Sequence, residues 1–286
     1  MEVIEVQRKA IDFAEYVKRS AVFEDAPNMI TGDTLFTENG KPIILYKKID
    51  FADTKALRQA VQRVKYAETT RTAGLKTQSA IFGYNPRNVI RKDFCSATAM
   101  SFNQPAEHQV ITDFAQELTR LYEQTFPDTF NRHKGAVSEK ILPEWKMKGE
   151  LFTSGICNKN NPLKYHFDSG NIKDVLSNMV VFKYKSEGGH LAIPELNVTL
   201  ECADNTVVLF DGQSLLHGVT PIDNRYADSY RYSVVYYTLQ QMWNCLPLTG
   251  EIARIRKLHK QREQNRSNER KQAKTAQQEA TKEHTE

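Results

Sequence analysis

The 286-residue sequence predicts an α+β fold, in which a double-stranded β-helix (jelly-roll) core is flanked by N-terminal helices and strands. Two observations predict this fold. The first half contains segments of helical length with apolar residues at helical spacing, whereas residues 150–240 consist mostly of short β-rich runs. Turn-forming residues separate those runs at short intervals, which is typical of an antiparallel sandwich or jelly roll.

The first half is predicted to combine helices with one β-hairpin. Asn39-Gly40 is a favoured two-residue turn, so it predicts a hairpin between strands at residues 34–37 and 43–46. Asp53 is a candidate N-cap for the helix that follows it. The helical patterns cover residues 5–19, 53–67 and 106–125.

The second half is predicted to supply the strands of the jelly roll. The β-rich runs end at residues that favour turns, such as Gly188-Gly189 and Asp211-Gly212. The predicted strands cover residues 151–156, 179–184, 191–193, 198–200, 206–210, 215–219 and 232–239.

These patterns divide the chain into three predicted regions. Residues 1–69 form a helical and β-hairpin region packed on the core, residues 70–250 form the jelly-roll domain, and residues 251–286 form a basic, largely polar tail. The last boundary follows from composition, because no large apolar side chain occurs after Leu258.

The tail carries the whole net charge of +4, since it contains ten Lys+Arg and six Glu. Ile252, Ile255 and Leu258 predict a short helix that docks on the body, followed by a solvated helix or a disordered segment. Two interpretations of the tail stay open. In one, the tail binds a polyanion such as DNA in a salt-dependent way. In the other, the tail is a solubilising segment without a binding partner.

Composition and cysteine placement exclude several protein classes. No apolar run approaches the roughly 18–20 residues that cross a bilayer, and the acidic N-terminus differs from a secretory signal. The four cysteines are scattered without a Cys-x-x-Cys pair, which argues against a disulfide framework and against a cysteine-built zinc site. The sequence therefore predicts a cytoplasmic protein without a membrane partner.

Two histidines and one aspartate in the β-rich half have the composition of a metal site. His166 and Asp168 are two residues apart, so their side chains point to the same side of an extended segment. With His217 they supply the two imidazoles and one carboxylate of non-haem Fe(II) oxygenases, which leave positions for a 2-oxo acid and dioxygen. The planar fork of Arg231 matches the distal carboxylate of 2-oxoglutarate, and Ser233 on the same face can donate to that carboxylate.

Other histidines compete for the second imidazole position. His190 follows Gly188-Gly189 and is a weaker candidate, because no Arg follows it at a suitable distance. His108 and His133 lie in the helical half without a partner pattern, and we interpret them as structural or solvent-facing. The alternative interpretation is that the proposed metal ligands, Arg231 and Ser233 are buried polar residues that do not form a common site.

These residues resemble the TET/JBP group of 2-oxoglutarate dioxygenases, which oxidise the 5-methyl group of pyrimidines in DNA. The resemblance covers roughly residues 70–245. In that group an Asn five residues after the first His binds the flipped target base, which implies this role for Asn171. A Phe-Gly-x-x-Pro-Arg element implies that Arg87 is a basic contact near co-substrate or substrate, although a structural role for it stays open. The matching segments are residues 79–87, 166–171, 188–195, 210–212, 217–222 and 231–233.

The resemblance implies an enzyme that hydroxylates the 5-methyl group of 5-methylcytosine or thymine in DNA, using Fe(II), 2-oxoglutarate and dioxygen. His166, Asp168 and His217 are then the catalytic metal ligands. Arg231 and Ser233 are then the residues that bind 2-oxoglutarate. The target base is flipped out or already unpaired, and no obligate protein partner is implied. The chain resembles the compact, stand-alone members of the group, such as virus-encoded ones, for which the location is the host cytoplasm.

Two other functions stay open at this stage. In the first, the chain is an oxygenase with the same metal centre that acts on a different substrate, either an N-alkylated base or a protein side chain. In the second, the chain is a jelly-roll binding module without turnover. For a DNA substrate, an aromatic side chain is expected to stack on the base. Tyr165, Phe167 and Tyr232 are the candidates.

Overall fold

The structure, a computed structural model, describes residues 1–70, 76–88 and 93–283. Its helices are α1 (Phe13–Tyr16), α2 (Thr54–Arg63), α3 (Ala99–Asn103), α4 (Pro105–Thr125), α5 (Pro127–Lys140) and α6 (Leu248–Glu283). The first eight strands are β1 (Glu2–Glu5), β2 (Asn28–Ile30), β3 (Thr34–Glu38), β4 (Lys41–Lys48), β5 (Ala67–Thr70), β6 (Lys76–Asn85), β7 (Ser96–Ala97) and β8 (Ser154–Lys159). The later strands are β9 (Ser177–Tyr184), β10 (Ser186–Gly188), β11 (Leu191–Ile193), β12 (Val198–Leu200), β13 (Thr206–Phe210), β14 (Gly218–Val219), β15 (Ile222–Asn224) and β16 (Tyr230–Tyr237).

The strands form a large sheet, a smaller sheet and a separate pair. Within the described ranges, the large sheet has ten strands in the order β1-β3-β4-β13-β9-β16-β8-β6-β5, with β7 paired to β6. The small sheet has the order β14-β11-β12-β2, and β10 pairs with β15. The pairs β1·β3 and β2·β12 are parallel, while the pairs in the centre of the large sheet are antiparallel. The predicted α+β class is confirmed, and strands from the first 69 residues complete both sheets.

Two apolar cores lie on opposite faces of the large sheet. On β13, Val207 and Leu209 join the core formed with helices α2 and α4, whereas Val208 and Phe210 join the core shared with the small sheet. This alternation follows from the two-residue period of a strand, which sends successive side chains to opposite faces. The molecule therefore has three layers, with the large sheet in the middle.

The alternation on β16 decides where the functional side chains of that strand lie. Tyr232 and Val234 belong to the core beneath the helices. Ser233 and Val235 instead line a cavity between the two sheets. Arg231 has the same parity as Ser233, so its side chain lies on the face that the small sheet covers.

Several predicted elements are present as expected. The hairpin turns at Asn39-Gly40, where both residues have positive φ angles of 51° and 72°, as a type I′ turn requires. The helices predicted over 53–67 and 106–125 correspond to α2 and α4. Asp53 directly precedes α2 but makes no capping hydrogen bond with its side chain. The strands predicted at 191–193, 198–200 and 206–210 have those bounds in the structure.

The helix predicted over residues 5–19 is largely wrong. Only α1 is helical there, and residues 2–5 form β1, which pairs with β3. Beyond β1 the backbone bonds to distant parts of the chain, as when Lys9 N donates to the Glu195 carbonyl at 2.7 Å. These tertiary partners satisfy the backbone groups that a helix would satisfy locally, so the weak local propensity is overridden.

Cys95 and Cys245 form a disulfide bond across a sequence separation of 150. Cys157 and Cys202 are buried and free. The expectation that the cysteines form no disulfide is wrong for the bonded pair, because the start of α6 packs beside the segment that leads into β7. The placement of the cysteines therefore no longer supports a reducing compartment.

Helix α6 begins on the body and then extends away from it. Its first turn is held by Glu251, which is 1% exposed and accepts hydrogen bonds from Leu246 N at 2.9 Å and Cys95 N at 3.1 Å. Arg254 pairs with Asp93 at 2.7 Å. The described side chains that follow Leu258 are exposed, so the solvated-helix alternative is the one observed. Among the helices in the described ranges, none combines the length and apolar character needed to span a membrane.

Candidate active site

A cavity of about 670 Å³ lies between the two sheets and contains most of the predicted site residues. His166, Asp168 and His217 line it together with Asn171 and Ser233. The remaining walls are mostly apolar side chains of both sheets. The cavity has the volume and the mixture of apolar walls and a few polar groups that is usual for a small-molecule site.

The three predicted metal ligands converge within this cavity. One ligand atom from each lies within 4.8 Å of the others. Asp168 Oδ1 is 3.6 Å from His166 Nε2 and 3.9 Å from His217 Nε2. Two backbone hydrogen bonds, at 3.0 and 3.2 Å, join His166 to His217 as an antiparallel bridge, which explains why residues so distant in sequence meet.

Hydrogen bonds to the backbone select the imidazole tautomer that a metal ion needs. His166 Nδ1 lies 2.8 Å from the Lys164 carbonyl, and His217 Nδ1 lies 2.9 Å from the Leu215 carbonyl. Because a carbonyl oxygen only accepts, each Nδ1 carries the hydrogen, and each Nε2 presents a lone pair. Burial lowers the pKa of His217 to about 4 although the Asp168 carboxylate opposes this, so the ring is neutral at pH 7.

The backbone beside the cluster is shaped to accept the Asp168 carboxylate. Asp168 N donates to the Gly212 carbonyl at 2.8 Å. A Cβ atom at Gly212 would overlap Asp168 Oδ2 and lie 3.1 Å from His217 Cε1, so a larger residue there would force the Asp168 carboxylate to move. The buried Glu195 carboxylate accepts from Leu216 N at 2.7 Å and thereby fixes the segment that carries His217. The donor set and its supports therefore fit a divalent metal ion such as Fe(II).

We expect the substitution Gly212→Ala to lower the affinity for Fe(II) about 10- to 100-fold, the usual effect of disturbing the support of a metal ligand. The added Cβ displaces the Asp168 carboxylate. Anaerobic titration calorimetry with Fe(II) measures the change. The control is Gly135→Ala on α5, where a Cβ meets nothing within 4 Å. Wild-type affinity for Fe(II) in Gly212→Ala would contradict the inference that a side chain at position 212 displaces the Asp168 carboxylate.

Arg231 is a buried cation whose donors are not all used. Its side chain is 1% exposed, and its Nε and Nη2 atoms have no hydrogen-bond partner among the described residues. Gly189 lets it approach, since a Cβ there would lie 2.7 Å from Arg231 Nε. Burial and the nearby Arg231 charge lower the pKa of Lys183. Unused donors on a buried guanidinium fit a carboxylate ligand such as that of 2-oxoglutarate.

A polar network beside Ser233 was not predicted from the sequence. Ser233 Oγ lies 3.5 Å from Asn158 Nδ2, and Asn158 Oδ1 accepts from Ser79 at 2.9 Å and Asn161 at 3.2 Å. Asn158 and Asn161 also line the cavity. The signal that was available is the pair of amide residues Asn158 and Asn161, in and after strand β8.

Asn171, the residue to which the resemblance gives the base-reading role, lies in the wall of the cavity. It is 8% exposed, and its Nδ2 donates to Ser177 Oγ at 3.2 Å. Arg87 is not among the residues that line the cavity, so its role as a contact to substrate or co-substrate stays a prediction. It pairs with the buried Glu251 at 2.7 Å, because that carboxylate requires a cation where α6 joins the body.

The remaining histidines of the body have structural contacts. His190 Nδ1 lies 2.5 Å from the Glu201 carbonyl, and His190 is outside the metal-ligand cluster. His133 is fully buried, lies 3.0 Å from Thr238 Oγ1, and has its pKa lowered by burial to about 3. His108 Nε2 accepts from Gly83 N at 3.0 Å. These contacts agree with the structural interpretation.

Comparison with solved structures supports the fold. The chain superposes on "NgTET1 in complex with 5mC DNA" with a TM-score of 0.54 and 15% sequence identity. The alignment covers 75% of this chain and 83% of that chain. At this identity the likeness shows the fold alone, and it confirms the predicted jelly-roll architecture.

Comparison with known sequences identifies relatives and a family. The chain is 30% identical over 125 residues to the bifunctional helicase and thymine dioxygenase JBP2 of Trypanosoma brucei brucei, and 32% identical over 122 residues to the same-named protein of Leishmania infantum. The matches cover 44% and 43% of this chain but only 11% of each relative. A family model described as "Tet_JBP: Oxygenase domain of the 2OGFeDO superfamily" matches residues 79–240. Since this match spans more than half of the sequence, the chain belongs to the Tet_JBP oxygenase-domain family.

Proposed function

We propose that the protein is an Fe(II)- and 2-oxoglutarate-dependent dioxygenase that hydroxylates the 5-methyl group of 5-methylcytosine or thymine in DNA. The observation that carries the proposal is the convergence of two imidazoles and one carboxylate within 4.8 Å in a cavity that Asn171 also lines. A binding module without turnover has no need for a ligand set that leaves metal positions open.

In this proposal His166, Asp168 and His217 hold the metal ion through their Nε2 atoms and a carboxylate oxygen. Bound Fe(II) supplies oxygen activation coupled to the oxidative decarboxylation of 2-oxoglutarate, chemistry that protein side chains lack. Arg231 and Ser233 bind the distal carboxylate of the co-substrate and so fix its orientation. The apolar walls of the cavity exclude bulk water from the reacting groups.

The methyl group of a stacked base cannot reach a cavity enclosed between two sheets, so the base enters flipped out or unpaired. Asn171 forms hydrogen bonds with the polar edge of that base. Phe167 lines the cavity and is the best placed of the stacking candidates. Tyr165 also lines the cavity, but it is fully buried and its hydroxyl is bonded to Asp25, whereas Tyr232 faces the helices.

We expect Asn171→Ala to lower kcat/KM for DNA about 5- to 100-fold while the KM for 2-oxoglutarate stays unchanged. The reason is the loss of one or two hydrogen bonds to the base, worth about 1–3 kcal/mol. Steady-state kinetics with each substrate varied in turn measure both values. Asn131→Ala on the exposed face of α5 is the control. Unchanged kinetics on DNA would remove Asn171 from the substrate site.

Nucleoside mass spectrometry tests the reaction and the choice of base. The protein is incubated with Fe(II), 2-oxoglutarate and oligonucleotides that contain either 5-methylcytosine or thymine as the methylated base. Hydroxymethylated nucleoside with stoichiometric succinate is the expected result. Turnover only on an N-alkylated base or a protein substrate would favour the alternative oxygenase. Absence of any substrate-dependent succinate with the tested substrates would favour a binding module.

Helix α6 adds charge suited to the DNA backbone. Between Arg254 and Lys274 the helix carries nine Lys+Arg and two Glu, and the described side chains after Leu258 are exposed. Four of the cations recur every fourth residue, so they share one face of the helix. They are Arg262, Arg266, Arg270 and Lys274.

We expect replacement of these four cations by alanine to weaken DNA binding and to reduce the slope of log K against log[salt] by up to about 4 units, because each lost phosphate contact removes about 0.9. Alanine retains the helix. Fluorescence anisotropy over a salt series measures the slope. The control replaces Gln264, Asn268 and Gln272, which share another face. An unchanged slope would instead support the solubilising role.

A further inference from the structure

A segment outside the family-matched residues forms part of the cavity wall. It comprises residues 12–19 and includes α1, and we name it the rim strap. Val17 and Lys18 of this strap line the cavity together with His166 and Phe167. The family model begins at residue 79, so the family match assigns no role to the rim strap.

Backbone hydrogen bonds hold the rim strap against the segment that carries His166. Lys18 N donates to the Tyr165 carbonyl at 2.9 Å, and Tyr165 N donates to the Arg19 carbonyl at 2.9 Å. Arg19 also pairs with Asp25 at 2.6 Å. Because these contacts fix the chain on both sides of Lys18, its backbone position beside the metal-ligand cluster is determined by the fold.

Lys18 occupies a backbone conformation that favours glycine. Its φ angle is 70°, in the left-handed region that residues with a Cβ seldom adopt. This φ angle belongs to a tight turn at the end of α1, which the hydrogen bond from Arg19 N to the Tyr16 carbonyl closes at 2.8 Å. The Lys18 side chain is exposed at the cavity, and none of the ion pairs among the described residues includes it. The neighbouring cation, Arg19, is already neutralised by Asp25.

Two apolar side chains of the rim strap accompany this cation: Val17, which lines the cavity, and Phe13, which contacts the cavity-lining Phe167. Phe13 is 43% exposed and packs edge-to-face on Phe167, with ring centres 5.2 Å apart. Val17 is 39% exposed. Exposed apolar groups next to an unpaired ammonium match the chemistry of a nucleotide, which has an apolar base face beside an anionic phosphate.

We propose that the rim strap binds the nucleotide whose base enters the cavity. The Lys18 ammonium binds a backbone phosphate of that strand, and Phe13 and Val17 contact the adjoining sugar and base. This inference rests on the proposed function, since it requires DNA as the substrate. It makes the rim strap the part of this chain that guides the substrate strand to the metal centre.

The substitution Lys18→Gly tests the phosphate contact. Glycine removes the ammonium and relieves the left-handed strain, so the variant is expected to melt at or above the wild-type temperature. Its Kd for a 5-methylcytosine oligonucleotide should rise about 5- to 10-fold, and its salt slope should fall by about one unit. Fluorescence anisotropy of the iron-free protein over a salt series measures both. Lys18→Arg should retain wild-type binding, as should Lys55→Ala, which removes an exposed cation from α2.

The substitution Phe13→Ala tests the apolar contact. It should weaken DNA binding several-fold without changing the salt slope, because no phosphate contact is lost. Phe102→Ala removes another exposed phenylalanine, 74% exposed on α3, and should bind as the wild type does. In turnover, Lys18→Gly and Phe13→Ala should raise the KM for DNA and leave the KM for 2-oxoglutarate unchanged.

Two negative outcomes have different meanings. If the wild type oxidises the oligonucleotide and Lys18→Gly binds it with wild-type affinity and salt slope, the rim strap is only a structural wall and the inference is overturned. If the wild type neither binds nor oxidises 5-methylpyrimidine DNA, the proposed function itself fails and this inference fails with it.

Discussion

Replacing Asp168 with alanine is expected to abolish Fe(II)-dependent turnover while leaving the fold intact. Asp168 supplies the carboxylate of the ligand set and lies within 3.9 Å of both imidazole Nε2 atoms. Disturbing a residue that merely supports a metal ligand costs about 10- to 100-fold, so loss of a ligand should lower Fe(II) affinity by more than about 100-fold. The backbone bond from Asp168 N to the Gly212 carbonyl does not depend on the side chain, so the segment keeps its place.

Three measurements on Asp168→Ala check this expectation: anaerobic Fe(II) titration, succinate release and circular dichroism. The control is Ser169→Ala, because Ser169 also lines the cavity but is outside the ligand cluster. Retained iron binding and succinate production by Asp168→Ala, with a native spectrum, would show that the metal site lies elsewhere.

Replacing Arg231 with methionine is expected to raise the stability of the ligand-free protein and to lower its affinity for 2-oxoglutarate. The guanidinium is buried with unused donors, and burial lowers its pKa. Removing such an incompletely paired charge should stabilise the ligand-free protein by at least about 1 kcal/mol. The same change removes the guanidinium that we propose as the partner of the co-substrate carboxylate. That loss should weaken 2-oxoglutarate binding by about 2–5 kcal/mol, which corresponds to about 30- to 5,000-fold.

Thermal unfolding with and without 2-oxoglutarate measures both effects in one experiment. In the wild type the co-substrate should raise the melting temperature, because it binds only the folded state. The ligand-free melting temperature of Arg231→Met should be higher than that of the wild type. Adding 2-oxoglutarate should not raise it further. Arg231→Lys keeps the positive charge but lacks the paired donors of the planar guanidinium, so it should retain only part of the affinity for 2-oxoglutarate.

Arg58→Met is the matched control for stability. Arg58 is also partly buried, but its donors bond to Asp204, Asn205 and Tyr230. Its removal should therefore destabilise the protein, with no effect on the affinity for 2-oxoglutarate. A loss of stability in Arg231→Met similar to that in Arg58→Met would indicate that Arg231 is a structural residue rather than a ligand for the co-substrate.

The sequence predicts three strands of the second half with their observed bounds, because the determinants of these strands are local. The runs at 191–193, 198–200 and 206–210 are short, apolar and bounded by turn residues, so their bounds follow from composition. The two-residue spacing of His166 and Asp168 likewise places both side chains on one side of the chain. The period of β16 places Arg231 and Ser233 on a common face.

Features that depend on distant contacts escape such reasoning. The bonded cysteines are separated by 150 residues, and nothing in their spacing indicates that they meet. The partner of Arg87 is Glu251 at the start of α6, so this ion pair becomes visible only in three dimensions. The rim strap has the local composition of a helix, yet its backbone bonds to Tyr165 and the cavity wall. Each of these features depends on residues that are distant in sequence, and in the rim strap tertiary contacts also outweigh local helix propensity.

The most direct test of the whole account is the location of the metal ion. Crystals of the Fe(II)-loaded protein, grown without oxygen, give anomalous scattering at the iron absorption edge. We expect a single iron peak within bonding distance of His166 Nε2, His217 Nε2 and a carboxylate oxygen of Asp168. An iron peak elsewhere, or one bound by only one of these side chains, would contradict it.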